Sequence, residues 1–264
     1  MGNAEAGAEI GSGSCALCGG SSSRVIHHIA QWDIRQCRDC GFAHIDPYPP
    51  RNSRAAFYSE ARIEERRVKK KRGPLKQLAA LARRTLRGVS GRKKGTVFLA
   101  KLEEYLEPGA SVLDVGCGTG AILRDARARF DCSGVEISEF LADRTRELGV
   151  TVYTGDICEI DFGDARFDAI TMVSLLEHLD DPVGVLRKCH ALLKDGGVLL
   201  LKTVNHEGIN RRVLGDKWSG YRPPDHLVYF GPDNLRQLLT RVGFKSVKMT
   251  AMPLNDSFYC DAIK

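Results

Sequence analysis

LDVGCGTG, residues 113–120, is the end of an apolar strand running straight into three alternating glycines. The strand is SVLDV, and Gly116, Gly118 and Gly120 carry the chain from it into a helix. Glycine is required where the backbone must turn tightly and approach a ligand with no Cβ in the way. A dinucleotide-binding turn uses G-x-G-x-x-G and seats a pyrophosphate on the helix N-terminus. Here the spacing is G-x-G-x-G, and Asp114 stands two residues before the first glycine. A carboxylate there repels a pyrophosphate and suits a ligand that carries an ammonium group. Glycines serving only a tight strand-to-helix turn are the plain alternative.

Outward from this turn, short β-branched runs alternate with helical patterns, as expected of a parallel sheet covered by helices. CSGVE, VTVYT, FDAITMV and GVLLLKTV read as the next strands, and FKSVKMTAM and SFYCDAIK close the chain. With SVLDV the count is seven. The fold class expected is therefore α/β, a Rossmann-like doubly wound seven-stranded sheet. Asp181-Pro182 opens a helix in the favoured cap-then-proline order, and Gly196-Gly197 should stop it. Ser138 and Asp233 read as caps of two more helices. A loop-rich insert runs from roughly residue 205 to 231.

Toward the N-terminus the organisation changes. Residues 1–14 read as a disordered leader, 15–50 as a zinc ribbon, 51–107 as a basic helical segment or lid, and 108–264 as the cofactor-binding domain. The net charge of +6 is uneven, because residues 62–94 hold fourteen Lys or Arg against two Glu. That segment alone carries +12, so the rest of the chain carries −6. Leu75, Leu78, Ala79, Ala82 and Leu86 run through it as an apolar stripe, so a helix with one buried face accounts for the charges. No apolar run approaches the roughly 18–20 residues that cross a bilayer, and the first residues lack a secretory pattern. A cytoplasmic protein without membrane partners is expected. The sequence is silent on oligomeric state.

Among class I S-adenosylmethionine-dependent methyltransferases the first motif resembles LDVGCGTG. The resemblance implies that Asp114 helps hold the methionyl end of S-adenosyl-L-methionine, with Gly116, Cys117, Gly118 and Gly120 bordering it. Glu136, twenty positions after Gly116, falls where the family binds the two ribose hydroxyls, a task for a bidentate acceptor. Ile137 would pack on one adenine face. Asp156 matches the position that accepts from the adenine amino group, with Ile157 beside it. Ser174 and Leu175 fall where the family lines the methionyl part.

Cys15-x-x-Cys18-Gly and Cys37-x-x-Cys40-Gly are two knuckles eighteen residues apart. Four thiolates at this spacing suit a closed, structural Zn²⁺ site, with iron as the rival metal. Cys117, Cys132, Cys158, Cys189 and Cys260 are scattered, and most of them read as small core residues. A ribbon, a D-P-Y-P exit and this domain together resemble a bacterial group that methylates small molecules, sugar C-methyltransferases included. The runs EHLDDP (177–182) and DHLVYFGPDNL (225–235) share that resemblance.

A small-molecule or carrier-bound acceptor is the expected partner. RNA is the alternative, because the basic segment could meet phosphates and a ribbon fused to such a domain also resembles one group of ribosomal RNA guanine methyltransferases. SLLEHL, after the fourth strand, lacks the Asn-Pro-Pro-Tyr type of motif used on exocyclic amino groups of bases. An inactive scaffold is the third reading, against which the cofactor motifs stand intact. An in-line methyl transfer needs a general base only when the acceptor arrives protonated. His178 and His226 are the candidates for that role. Trp218, Tyr221 and Tyr229 give the insert an aromatic character, suited either to covering an acceptor or to packing.

Overall fold

The computed structural model describes residues 13–49, 94–251 and 255–264. The leader up to residue 12 and the basic segment up to residue 93 lie outside the described residues. Among the described residues the larger sheet has seven strands: β4 (Ser111–Val115), β5 (Asp131–Glu136), β6 (Thr151–Thr154), β7 (Phe167–Val173), β8 (Leu193–Val204), β10 (Ser246–Ala251) and β11 (Ser257–Ile263). Their order is β10-β11-β8-β7-β4-β5-β6. Strands β4 to β8 pair in parallel, and β11 and β10 add an antiparallel edge. The winding reverses between β4 and β7, so a crevice opens there at the carboxyl ends of the strands.

Period-two alternation feeds two cores. Val112, Val198 and Leu200 pack on one face with Phe98 and Leu102 of α1 (Lys94–Tyr105) and Ile122 and Leu123 of α2 (Ala121–Ala126). Leu113, Val115, Leu199 and Leu201 face the other way, toward α4 (Pro182–Leu192) and α6 (Pro232–Val242). A third helix, α3 (Glu139–Arg146), follows β5 with Ser138 at its N-cap, and the short α5 (Ile209–Leu214) lies in the insert. Asp181 caps α4 by accepting from the Gly184 amide at 2.8 Å, with Pro182 in the first turn.

Two boundaries differ from the sequence reading. Helix α4 stops at Leu192, and Gly196 instead turns inside β8, where the pairing with β7 slips between Phe167 and Ala169. Asp233 does not cap α6. Gly231 holds the N-cap, Pro232 follows it, and the Gly231 amide donates to Asn234 Oδ1 at 3.1 Å. Asp233 is exposed and pairs with Arg236. Cys117, Cys132, Cys189 and Cys260 are buried as expected, whereas Cys158 is exposed. No helix among the described residues is long and apolar enough to cross a membrane.

The cysteine ribbon and the insert form one further unit. Strands β1 (Ser23–Ile29), β2 (Trp32–Cys37) and β3 (Ala43–Asp46) continue into β9 (Val228–Tyr229), which comes from the insert and pairs antiparallel with β3. Phe42, Ile34 and Ile45 share a core with Trp218, Tyr221, Tyr229 and Phe230. Trp218, Tyr221 and Tyr229 are almost fully buried, so they pack against the ribbon and do not line the cavity described below.

Within this core the Tyr221 hydroxyl accepts Arg211 Nε–H at 3.1 Å and shares a hydrogen bond with His206 Nε2 at 2.8 Å. Burial, followed by the charge of Arg211, pulls the His206 pKa down to about 3. The unfolded chain takes this proton below about pH 6.5, while the folded ring stays neutral until about pH 3. Stability is therefore lost as pH falls through that window, by about 1.4 kcal/mol per unit. At pH 5 the cost is about 2 kcal/mol. Melting curves of the wild type should fall more steeply between pH 7 and 5 than those of His206→Gln; parallel curves would remove this account.

Candidate active site

A cavity of about 390 Å³ opens at the reversal point between β4 and β7. That volume lies within the usual range for small-molecule sites. Gly116, Cys117, Gly118 and Thr119 line it after β4, Glu136 and Ile137 after β5, Asp156 and Ile157 after β6, and Ser174 and Leu175 after β7. Four successive strand ends thus converge on one space.

Local geometry explains each position. Gly116 has φ +72°, and a Cβ there would stand 3.0 Å from Leu175 Cδ2. A side chain there would strain the backbone and force Leu175 to give way. Glu136 is buried, and its two oxygens accept from the Gly118 amide at 2.8 Å and the Ser138 amide at 3.0 Å. Burial raises its pKa above the ordinary carboxylate value, against the pull of those amides. A carboxylate has about four lone-pair sites, so two remain for a ligand. Asp156 accepts from the Cys158 amide at 2.9 Å, which holds it at the rim. Ile137 is exposed at 40% and offers an apolar face. Ser174 is held at φ +55°, a left-handed conformation that strains a non-glycine residue by about 1–3 kcal/mol.

Asp114 and Gly120 do not line the cavity. Asp114 is buried and accepts from Thr171 Oγ1 at 2.6 Å. Gly120 serves as the N-cap of α2 at φ +69°.

His178 lines the far end of the cavity together with Leu179, Arg222 and Asp225. Its Nδ1–H donates to the Asp225 carbonyl at 2.6 Å, and Asp225 also pairs with Arg222. His226 stands edge-on to His178, with ring centroids 4.7 Å apart, but is buried behind the cavity wall. Its Nδ1–H donates to the Gly220 carbonyl at 2.7 Å. Burial, then the neighbouring His178 and Arg222, lowers its pKa to about 3. Sequence reasoning brought both histidines to this edge and missed Arg222, Asp225 and Glu177. Glu177 and Asp225 lie inside the EHLDDP and DHLVYF runs, but no residue-type rule marks them as convergent.

The four ribbon cysteines are clustered. Cys15–Cys40 and Cys18–Cys37 sulfurs are 3.6 Å apart. A tetrahedral zinc site with bonds of ~2.3 Å has edges of about 3.8 Å, so the set fits. The knuckles repeat one geometry. Gly19 and Gly41 sit at φ +75° and +74°, and the Cys15 and Cys37 amides donate to the Gly20 and Phe42 carbonyls at 2.7 and 2.8 Å. A hydrogen bond from Cys40, followed by backbone amides of Cys18 and Leu17, pulls the Cys15 thiol down to about 5 despite burial. Cys40 moves up as its counterpart.

Residues 92–249 match a family model described as a methyltransferase domain. The chain is 33% identical over 168 residues to the ubiquinone biosynthesis O-methyltransferase of Coxiella burnetii, which covers 57% of this chain and 71% of the relative. Magnesium protoporphyrin IX methyltransferase from Synechocystis, solved with bound SAH, shares the fold with a TM-score of 0.59 at 17% identity, over 81% of this chain and all of that one. A methyltransferase of Thermotoga maritima, described as a possible histamine N-methyltransferase, gives 0.52 at 23% identity over 63% and 87% of the two chains.

Proposed function

The chain belongs to the methyltransferase-domain family, the class I S-adenosylmethionine-dependent methyltransferases, and from that premise we propose that it methylates a small-molecule acceptor at the His178 end of its cavity. The observation that carries this reading is the convergence of Gly116–Thr119, Glu136–Ile137, Asp156–Ile157 and Ser174–Leu175 on one cavity. In this reading Glu136 receives the ribose hydroxyls, and Asp156 receives the adenine amino group. Ile137 and Ile157 flank the adenine, while Gly116, Cys117, Gly118, Ser174 and Leu175 border the methionyl part. Asp114 acts from behind the wall, through the shape of the turn and its negative charge. Gly120 acts only by placing α2.

When bound, the cofactor supplies a methyl group on an already activated sulfonium. What remains for the protein is alignment and exclusion of water. An acceptor that arrives as a hydroxyl must also lose its proton, and that need falls on His178 and on His226 behind it. Both rings spend Nδ1–H on a carbonyl, so each keeps its lone pair on Nε2 when neutral.

The activities of the relatives support a small-molecule acceptor: an O-methyltransferase of ubiquinone biosynthesis and a magnesium protoporphyrin IX methyltransferase. The four cysteines we assign to Zn²⁺ with a structural role, since a closed set of four thiolates leaves no position for a catalytic water. Calorimetry with S-adenosylmethionine should give one site per zinc-loaded chain. Labelled methyl should then enter the small-molecule fraction of a cell extract and leave the RNA fraction unlabelled. A folded, zinc-loaded protein that binds no cofactor would refute the enzyme reading, and label confined to RNA would refute the acceptor class.

A further inference from the structure

Glu177, His178 and His226 each bring one donor atom to within 4.8 Å of the other two. They stand where the cavity meets the insert, and none of the cofactor contacts assigned above uses them. We propose that these three side chains hold a first-row divalent cation at the acceptor end of the cavity, where the ion takes an oxygen of the acceptor. The proposal rests on the methyltransferase reading and states how the acceptor comes to lose its proton.

Two imidazoles and one carboxylate form a donor set that binds such ions and leaves coordination positions open. The outer partners of all three are already in place. His178 and His226 each donate Nδ1–H to a carbonyl, at 2.6 and 2.7 Å, which turns Nε2 into the free donor. Glu177 Oε2 accepts from Thr203 Oγ1 at 2.8 Å, which leaves the second carboxylate oxygen for the ion. Metal-binding side chains are oriented by partners of this kind.

Charge points the same way. Glu177 is 2% exposed and has no ion pair among the described residues. A buried carboxylate is costly unless a cation or several donors compensate it, and here its side-chain donor among the described residues is the Thr203 hydroxyl. Backbone bonds hold the constellation in place: the Leu227 amide donates to the Glu177 carbonyl and the His178 amide to that of Leu175, both at 2.8 Å. Donors around an ion with bonds of ~2.1 Å lie about 3.0–3.4 Å apart, so the side chains need to draw in by only about 1–2 Å. Because His178 lines the cavity, the open positions face it. A hydroxyl bound there ionises at lower pH. Its O–H bond breaks with the electron pair left on oxygen, and the proton passes to water.

The test is an electron paramagnetic resonance titration of Mn²⁺ into the full, zinc-loaded chain, with cofactor affinity measured on the same samples. Mn²⁺ prefers oxygen and nitrogen donors, so the four-thiolate site does not compete. One Mn²⁺ per chain is expected, bound at least about tenfold more weakly in His226→Ala and Glu177→Gln. Thr203→Val, which keeps the side-chain shape, should also weaken it by about tenfold and leave cofactor affinity unchanged. Cofactor binding without Mn²⁺ binding overturns the cation and leaves a histidine base in its place. Mn²⁺ binding that all three variants retain places the ion elsewhere and overturns it too. Failure to bind the cofactor is a separate result, which counts against the methyltransferase reading.

Discussion

Glu136→Ala should lower the affinity for S-adenosylmethionine by roughly 10²–10⁴-fold, the equivalent of losing two hydrogen bonds to a charged group at about 1.5–3 kcal/mol each. The carboxylate already accepts from the Gly118 and Ser138 amides, so its removal also slackens the glycine turn. The buried Ser138 amide left without a partner costs about 1–3 kcal/mol of stability, and the part-buried Gly118 amide less. A drop of several degrees in melting temperature should therefore accompany the loss of binding. Glu136→Gln separates the two effects. It keeps the shape and one acceptor, but its NH₂ must face a backbone N–H. Most of the affinity should vanish while the melting temperature recovers in part. Because burial raises the pKa of Glu136, wild-type affinity should also begin to weaken at a pH above the ordinary glutamate range. Calorimetry of the three proteins across pH decides the matter. Affinity within about threefold of wild type in both variants would show that Glu136 is only a brace for the turn.

The parts of this molecule that were legible in the sequence are those where one local rule acts alone. Strands β4 and β7 and the stretch of β8 from Val198 onward are buried by helices, so they appear as mainly apolar runs. Gly116 could be placed because glycine alone takes φ +72° beside Leu175 without strain. Asp233 misled because two helix-start signals compete there, and the Pro232 ring with Asn234 two residues on fixes the start at Gly231. What the sequence hides is convergence between distant segments. Strand β9 is two residues long, too short for any periodicity, and its partner β3 lies more than 180 positions upstream. Without that pairing the insert reads as a loop, Trp218 and Tyr221 read as either a cover or packing, and nothing brings His226 to Glu177.

The same pairing makes the ribbon answerable for the chemistry, and Cys37→Ser exposes it. Binding of a structural zinc is folding energy on the order of 10 kcal/mol, and a unit of four short strands has little else to replace it. Zinc content should fall from one per chain to near zero. The loss would not stop at the cysteines. The Ile45 amide of β3 donates to the Leu227 carbonyl at 3.0 Å, and the Leu227 amide donates in turn to the Glu177 carbonyl at 2.8 Å. Tyr48, just after β3, donates its hydroxyl to the Leu179 carbonyl at 3.2 Å. Melting the ribbon therefore frees the wall that carries Glu177, His178 and His226. Gly116, Glu136, Asp156 and Ser174 stand on the other sheet, whose strands pair without the ribbon. Methyl transfer should fall by at least about 100-fold, since misplacing reacting groups by about 1 Å can cost that much. Cofactor affinity should stay within about tenfold of wild type. Chelation of the wild-type protein should reproduce the split, and zinc should restore it. Activity that survives the loss of zinc would show that the insert holds its shape unaided, and joint loss of cofactor binding would show that the two sheets fold as one unit.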